Sequence, residues 1–307
     1  MAYRLHVRPY RHPLQQPLAT ARGSWSVREG IWVQLSDGAE RVGWGEIAPL
    51  PRFGSETQAQ ALVFCRQAEP AITEAAITAI PDALPACQFG FESALTALQS
   101  PERGLPALRY SYLLPSGAAA LQAWPAAWAS GARTFKVKIG TQPLPVELAQ
   151  FERLSQALPA TARLRLDANG SLTPETARQW LAAADRAGIV EFLEQPLPPE
   201  RWPDLQALQG EFATAVALDE SAATLARLAA CHRAGWRGPM AVKVAVAGSP
   251  ARLRRFCRAH AIDAVPSSAL ETATGRQAAL RVAAQIASAD RAVGFGVEPW
   301  LSEAARS

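Results

Sequence analysis

The chain of 307 residues has little of what marks several large protein classes. Its four cysteines, Cys65, Cys87, Cys231 and Cys257, form no Cys-x-x-Cys pair, and the shortest gap between them is 22 residues. That spacing excludes zinc-ribbon patterns and a disulfide framework, and it predicts free, buried thiols in a reducing compartment. Histidine is equally scarce: His6, His12, His232 and His260 all fall outside the ends of strand-like runs, so a histidine-built metal hydrolase finds no support. Gly-x-Gly occurs at Gly43–Gly45 and Gly294–Gly296 without a third glycine or a helix start, so no dinucleotide loop is present. No stretch approaches the roughly 20 apolar residues of a membrane span. Met1–His6 opens no run of the signal-peptide kind. A cytoplasmic protein without a membrane partner is expected. Charge of one sign is not concentrated either: 31 basic and 27 acidic residues leave +4, and the densest basic cluster is Arg252, Arg254, Arg255 and Arg258. That cluster reads as a solvated helix face, and no nucleic-acid partner is expected.

What the chain does have is apolar residues, 49% of the total, enough for a large core. They fall into two patterns. In the first hundred residues, strand-like runs at 24–35 and 41–47 flank Ser36-Asp37-Gly38, a hairpin signal, and helical patterns follow at about 55–69 and 88–100. From about residue 108, short apolar runs alternate with Ala- and Leu-rich helical stretches. The runs are Tyr110–Leu114, Thr134–Ile139, Arg163–Asp167, Val190–Glu194, Ala215–Asp219, Met240–Ala245, Ile262–Pro266 and Ala292–Phe295. Eight strands alternating with helices predict an α/β fold, a (β/α)7β barrel of the triosephosphate-isomerase type, with a doubly wound open sheet as the competitor. The expected division is an α+β capping domain over 1–105, with the tail 297–307 packed on it, and a catalytic barrel over 106–296.

The barrel strands carry an anomaly. Buried parallel strands should be continuous apolar runs, yet five consecutive ones carry ionisable residues at or near their C-terminal ends: Lys136 and Lys138, Asp167, Glu194, Asp219, and Lys243. From Lys138 the steps are 29, 27, 25 and 24 residues, one βα unit each, so the charges are expected at one height on successive staves. Strand ends of that polarity face the mouth where this fold places its active sites. Three carboxylates on neighbouring strands repel one another unless a cation lies among them. An all-oxygen set of Asp167, Glu194 and Asp219 selects a hard ion, Mg2+ first and Mn2+ as its substitute. Asn169, Gln195 and Glu220 adjoin these ligands and are candidates to orient them. Lys136 and Lys138, two apart, share a strand face, while Lys243 flanks the site from the other side.

This order of Lys-x-Lys, Asp, Glu, Asp and Lys resembles the enolase superfamily, and within it the muconate-lactonising subgroup. Gly43–Pro51 is similar to that subgroup's capping motif, Phe53-Gly54-Ser55-Glu56-Thr57 to its mobile loop, and Ser267–Thr272 to the segment after strand seven. The short length and the Ser-Ser-x-x-Glu segment most resemble the o-succinylbenzoate synthase family. The resemblance implies a Mg2+-dependent carbon–oxygen lyase that dehydrates 2-succinyl-6-hydroxy-2,4-cyclohexadiene-1-carboxylate in menaquinone and phylloquinone synthesis. It implies Lys138 as base and acid, Lys243 as electrostatic partner with a cation–π contact to the substrate ring, and Lys136 as the cation that favours neutral Lys138. Arg52, Phe53, Ser267 and Ser268 are then substrate-binding candidates, and segments 23–28 and 50–57 are loops over the mouth. The expected partner is a small carboxylate, and the expected state a monomer or small homo-oligomer. The alternative is an N-acylamino-acid racemase or dipeptide epimerase, although 293–299 lacks the Asp-x-Asp that holds a substrate ammonium in the epimerases.

Overall fold

The structure is a computed structural model that describes residues 1–20, 23–38, 41–100, 104 and 107–297. The N-terminal part runs β1 (Ala2–Thr20), β2 (Gly23–Ser36), β3 (Val42–Ile47), α1 (Gln58–Ala68), β4 (Ala71–Thr73), α2 (Glu74–Thr78) and α3 (Pro85–Gln99). Its four strands form an antiparallel sheet in the order β3-β2-β1-β4. The longest of them, β1, is missing from the sequence expectation. Pro9, Pro13 and Pro17 obscure its alternation, but β1 pairs with β4 only at Ala2–Arg4. Beyond that point β1 is a sheet edge, where a missing N–H costs no ladder bond. Strand β3 lies directly on the backbone of α3. A Cβ at Gly43 would stand 2.1 Å from the Ala94 carbonyl oxygen, and one at Gly45 2.0 Å from that of Gly90, so only glycine permits this approach.

The remainder alternates as β5 (Tyr110–Leu113), α4 (Ala120–Ala129), β6 (Thr134–Lys138), α5 (Leu144–Ala157), β7 (Arg163–Asp167), α6 (Pro174–Ala187), β8 (Val190–Glu194), α7 (Trp202–Leu208), β9 (Ala215–Ala217), α8 (Leu225–Arg233), β10 (Met240–Lys243), α9 (Pro250–Ala259), β11 (Ala264–Ser267), α10 (Ala273–Ile286) and β12 (Val293–Gly296). The eight strands are parallel in the order β10-β11-β12-β5-β6-β7-β8-β9. A parallel bridge between Leu218 and Met240 joins the two ends, with Leu218 N donating to the Pro239 carbonyl at 3.0 Å and Ala241 N to that of Leu218 at 2.7 Å. The barrel is therefore closed as expected, and the open sheet is excluded. Two strands stop two residues short of the sequence reading. The run expected through Asp219 leaves the ladder at Ala217, and the run expected through Ala245 leaves it at Lys243; each continues as a short 3-10 turn, Glu220–Ala222 and Val244–Val246.

The opposite end of the barrel is closed by charge. Buried Arg165 donates to Glu191 at 2.7 and 3.2 Å and to the Ala292 carbonyl at 2.8 Å. Arg291 bridges Glu191 and Asp263 at 2.8 and 2.6 Å.

The antiparallel sheet is locked to the barrel through Glu46 on β3, which is fully buried. Its carboxylate accepts from the backbone N–H of Thr272 (2.9 and 3.0 Å) and Gly275 (2.9 Å), at the start of α10. The hydroxyls of Tyr10 and Thr272 also donate to it. A carboxylate is favoured there because the first N–H groups of a helix lack partners and its dipole is positive at that end. Gln88 Oε1 accepts from Ser249 N at 3.0 Å, the cap of α9, and Arg252 pairs with Asp82 at 2.5 Å. Arg252 is thus a contact between the two parts, not only a solvated residue as its cluster suggested. The N-termini of α9 and α10 follow the C-terminal ends of β10 and β11, so these contacts seat the sheet over the barrel mouth. The expected packing of 297–307 lies outside the described residues except for Val297, which packs with Leu14, Leu113 and Leu270. Glu46→Ala should lower stability by about 3–5 kcal/mol, since it strands buried donors on both sides of the contact. Urea unfolding measures this, and a loss below about 1 kcal/mol would show that the contact is not a lock.

Candidate active site

The ladder registers place the charges. Lys138 pairs with Asp167, Asp167 with Glu194, and Glu194 with Ala217. Three charges thus share one register, as expected. Asp219 does not: it lies two residues beyond Ala217, on a backbone that has already left the strand (φ −127, ψ −80). The Asp167, Glu194 and Asp219 side chains are all buried. Lys136 Nζ lies 2.8 Å from Asp167 Oδ2 and 2.6 Å from Glu194 Oε1. Lys138 Nζ donates to the same Asp167 oxygen at 2.7 Å and to Asn169 Oδ1 at 2.6 Å. On the far side, Lys243 Nζ is 2.5 Å from Asp219. The two lysine groups flank the carboxylates from opposite sides, as the sequence predicts.

Electrostatics show what this arrangement tolerates. Burial raises the Asp167 pKa, but the adjacent Lys136 and Lys138 ammoniums outweigh it and hold the group below the usual carboxylate range. Glu194 is pushed up, by burial and then by the charge of Asp167. Asp219 is also pushed up by burial, with Glu220 adding to the shift and Lys243 opposing it. Burial lowers the Lys136 pKa, yet Asp167 and Glu194 overcome this and raise it. Among the described residues, no three His, Cys, Asp or Glu side chains are already gathered tightly enough to hold an ion; the carboxylates turn onto ammoniums instead. Their chemistry nonetheless fits a hard divalent cation. All donors are oxygen, and two of the three carboxylates are disfavoured as anions without further positive charge. Next to them Glu220 Oε2 is buried with no partner.

Of the three orienting candidates, Asn169 and Gln195 make several hydrogen bonds in the cluster, while Glu220 accepts from Asn169. Asn169 N donates to Asp167 at 3.2 Å, and its amide bridges Lys138 to Glu220, the latter at 3.2 Å. Gln195 Oε1 accepts from Asp219 N (2.9 Å) and Ser221 N (3.0 Å), while its Nε2 donates to the Leu197 carbonyl and Ser221 Oγ, both at 2.8 Å. One amide therefore fixes the turn that presents Asp219. Asn169 (φ 47), Gln195 (φ 38) and Leu270 (φ 58) are left-handed non-glycine residues. All three follow strand ends at the mouth, where such strain of about 1–2 kcal/mol each is tolerated for function.

Above the charges lies a cavity of about 600 Å³. Its lining includes Lys136, Lys138, Asp167, Asn169, Asp219, Glu220 and Lys243, together with Arg52, Phe53, Ser267 and Ser268. All four substrate-binding candidates thus reach it, whereas Glu194 and Gln195 lie behind its wall. Segment 23–28, expected as a loop, is instead the start of β2 at the end of the β1–β2 hairpin; Ser24, Trp25, Val27 and Arg28 line the cavity. The Lys243 ammonium sits 3.9 Å from the centre of the Phe53 ring. The sequence reading gives Lys243 a cation–π contact with a substrate ring; in the structure Phe53 of the 50–57 segment makes one. None of the four histidines lines the cavity.

Sequence reasoning places Arg28 at the end of a segment over the mouth but does not single it out. Ile31, Val33 and Leu35 of β2 form the core face, so the alternate positions Arg28, Gly30 and Trp32 read as solvent-facing. They face the barrel instead: Arg28 is buried, and Trp32 Nε1 donates to Thr272 Oγ1 at 3.1 Å.

Two family profiles match the chain, "Enolase C-terminal domain-like" over residues 119–303 and "MenC, N-terminal domain" over 3–98. The o-succinylbenzoate synthase of Thermosynechococcus vestitus is 42% identical over 300 residues, covering 96% of this chain and 92% of that protein. The chain belongs to the o-succinylbenzoate synthase family of the enolase superfamily. The crystal structure of the Thermosynechococcus elongatus o-succinylbenzoate synthase, complexed with Mg in its active site, superposes with a TM-score of 0.91 at 41% identity, over 97% of this chain and 94% of that one. The Klebsiella pneumoniae o-succinylbenzoate synthase is 31% identical, covering 84% of this chain and 79% of its own length. For this family member, Gln195→Leu should cost about 3 kcal/mol, because Asp219 N and Ser221 N lose their acceptor inside the protein. A thermal or urea transition reports it; no loss would mean that the Asp219 turn holds itself.

Proposed function

We propose that the chain is an o-succinylbenzoate synthase. It removes water from 2-succinyl-6-hydroxy-2,4-cyclohexadiene-1-carboxylate to give 2-succinylbenzoate, in the cytoplasmic supply of menaquinone or phylloquinone. The observation that carries this reading is the placement of Lys138 and Lys243 on opposite sides of three buried carboxylates in a capped cavity, on a chain 42% identical to a synthase. Four free buried cysteines agree with a reducing compartment, and no helix among the described residues is long and apolar enough to cross a membrane.

Asp167, Glu194 and Asp219 would hold Mg2+, with Glu220 and Asn169 orienting them. When bound, the ion neutralises the substrate carboxylate as negative charge builds on it. Lys138, as the neutral amine, takes the proton alpha to the carboxylate. The resulting ammonium then protonates the hydroxyl as its carbon–oxygen bond breaks on the same face, so one residue serves as base and then acid and water leaves. Asn169 holds the Lys138 amine at 2.6 Å, which fixes the direction of both transfers. Lys243 remains charged and stabilises the enediolate from the other side. Phe53 and the 50–57 segment exclude water over it, which strengthens these interactions. In the racemase alternative Lys243 would deliver a proton to the opposite face.

Asp167→Ala should abolish both metal binding and turnover, lowering kcat at least roughly a thousandfold, and excess EDTA should do the same to the unaltered enzyme. Full activity in EDTA, followed by the ultraviolet change on aromatisation, would refute the metal. The lysines separate by exchange: Lys138→Ala should stop incorporation of solvent deuterium at the alpha carbon, whereas Lys243→Ala should lose most dehydration and keep slow exchange. Near-normal turnover of Lys138→Ala would refute its assignment as base.

A further inference from the structure

We infer that Arg28 is the recognition residue for a second carboxylate on the substrate, one held on the cavity wall opposite the carboxylate–lysine cluster. The inference rests on the synthase reading, because the substrate of that reaction carries two carboxylates, one on the ring and one at the end of its side chain.

Arg28 is 2% exposed. Among the described residues it makes no ion pair. Its Nε donates to the Leu270 carbonyl at 3.1 Å, and Nη1 donates to the carbonyls of Glu29 (2.8 Å) and Pro49 (3.0 Å). Its guanidinium carbon lies 5.6 Å from the centre of the Trp25 ring. Neutral carbonyls thus occupy three of the five N–H donors and fix the plane of the group, while Nη2 is buried with no partner. A buried cation held this way is costly unless an anion completes it. The same residue lines the cavity, so the missing partner can come from a ligand. Arg52, the other lining arginine, is exposed, so its charge is not buried.

Topology places this cation. The barrel ring runs β5 to β12 and closes. Asp167 and Glu194 end β7 and β8, and Asp219 follows β9. The strands four places round the ring from these are β11, β12 and β5. Leu270, whose carbonyl holds Arg28, belongs to the loop after β11. A second unpartnered buried atom, Ser267 Oγ, ends β11 on the same wall and lines the same cavity. A ligand with its reacting carboxylate over β7–β9 therefore presents its far end to Arg28. A carboxylate matches that end; an ammonium, as in a dipeptide, does not. This is a device for substrate choice, separate from the machinery of proton transfer.

The test compares the succinyl substrate with an analogue whose side chain ends in a carboxamide, using the full-length enzyme with Mg2+. The unaltered enzyme should prefer the diacid in kcat/KM by roughly 10- to 100-fold, the worth of one charge-assisted bond. Arg28→Gln should lose most of that preference through KM on the diacid, with less than about a threefold change on the amide, and Arg28→Lys should recover part of it. Equal losses on both compounds would overturn the inference and leave Arg28 as a brace for Leu270 and Pro49. If Arg28→Gln fails to fold, calorimetric titration of the unaltered enzyme with 2-succinylbenzoate and its amide decides: equal affinity overturns the inference. An unaltered enzyme that turns over neither compound would overturn the synthase reading, and this one with it.

Discussion

Three carboxylates buried at the ends of adjacent strands are the constraint around which the molecule is organised. They could not share that volume as anions on their own. The ammoniums of Lys136, Lys138 and Lys243 stand within hydrogen-bond distance of them, yet burial and mutual repulsion still push Glu194 and Asp219 up. The cluster is therefore short of positive charge, the condition that a divalent cation would relieve. The supporting amides serve the same end. Gln195 and Asn169 accept strained backbone so that Asp219, Glu220 and Lys138 are held where repulsion alone would splay them.

The sheet over the mouth matters because such electrostatics weaken in water. Closure is secured by one carboxylate inserted into a helix start, Glu46 at α10, and by Gln88 and Asp82 reaching α9. These contacts act at the same end of the barrel as the charges. They bring Phe53 onto Lys243 and the β1–β2 hairpin onto the rim. Barrel and cap are thus not two units joined by a linker, since the cavity has walls from both.

Much of this was legible in the sequence because the barrel imposes a period. Lys138, Asp167 and Glu194 recur at one βα unit, and the ladder puts them in one register. Asp219 was found by the same spacing, but its height was not: Gln195, which lifts it out of the strand, acts through tertiary hydrogen bonds that no period records. Strand β1 was lost because three prolines look like breakers unless one knows that most of β1 is an edge. Arg28 lay in a segment expected over the mouth, but its own role was hidden for a related reason. Alternation along β2 distinguishes two faces, but it cannot say that the polar-looking face meets a second body instead of water. Glu46 was visible only as part of a capping motif, and its role needs α10, more than two hundred residues away.

The ring of eight strands also divides the work. In the proposed mechanism the five charged staves, β6 to β10, carry the groups that would move a proton and stabilise charge, and that chemistry would dictate their residue types. The remaining three, with the cap, contribute Ser267, Leu270, Arg28 and Trp25 to the cavity wall, and nothing in proton abstraction requires these particular side chains. Reaction and substrate choice can then vary independently. On that reading, changing the β11 loop and the end of the hairpin would alter which carboxylate acid fits, while the lysines and acidic residues opposite would keep the same proposed chemistry. A barrel whose reacting groups cluster on one side leaves the other side free to select.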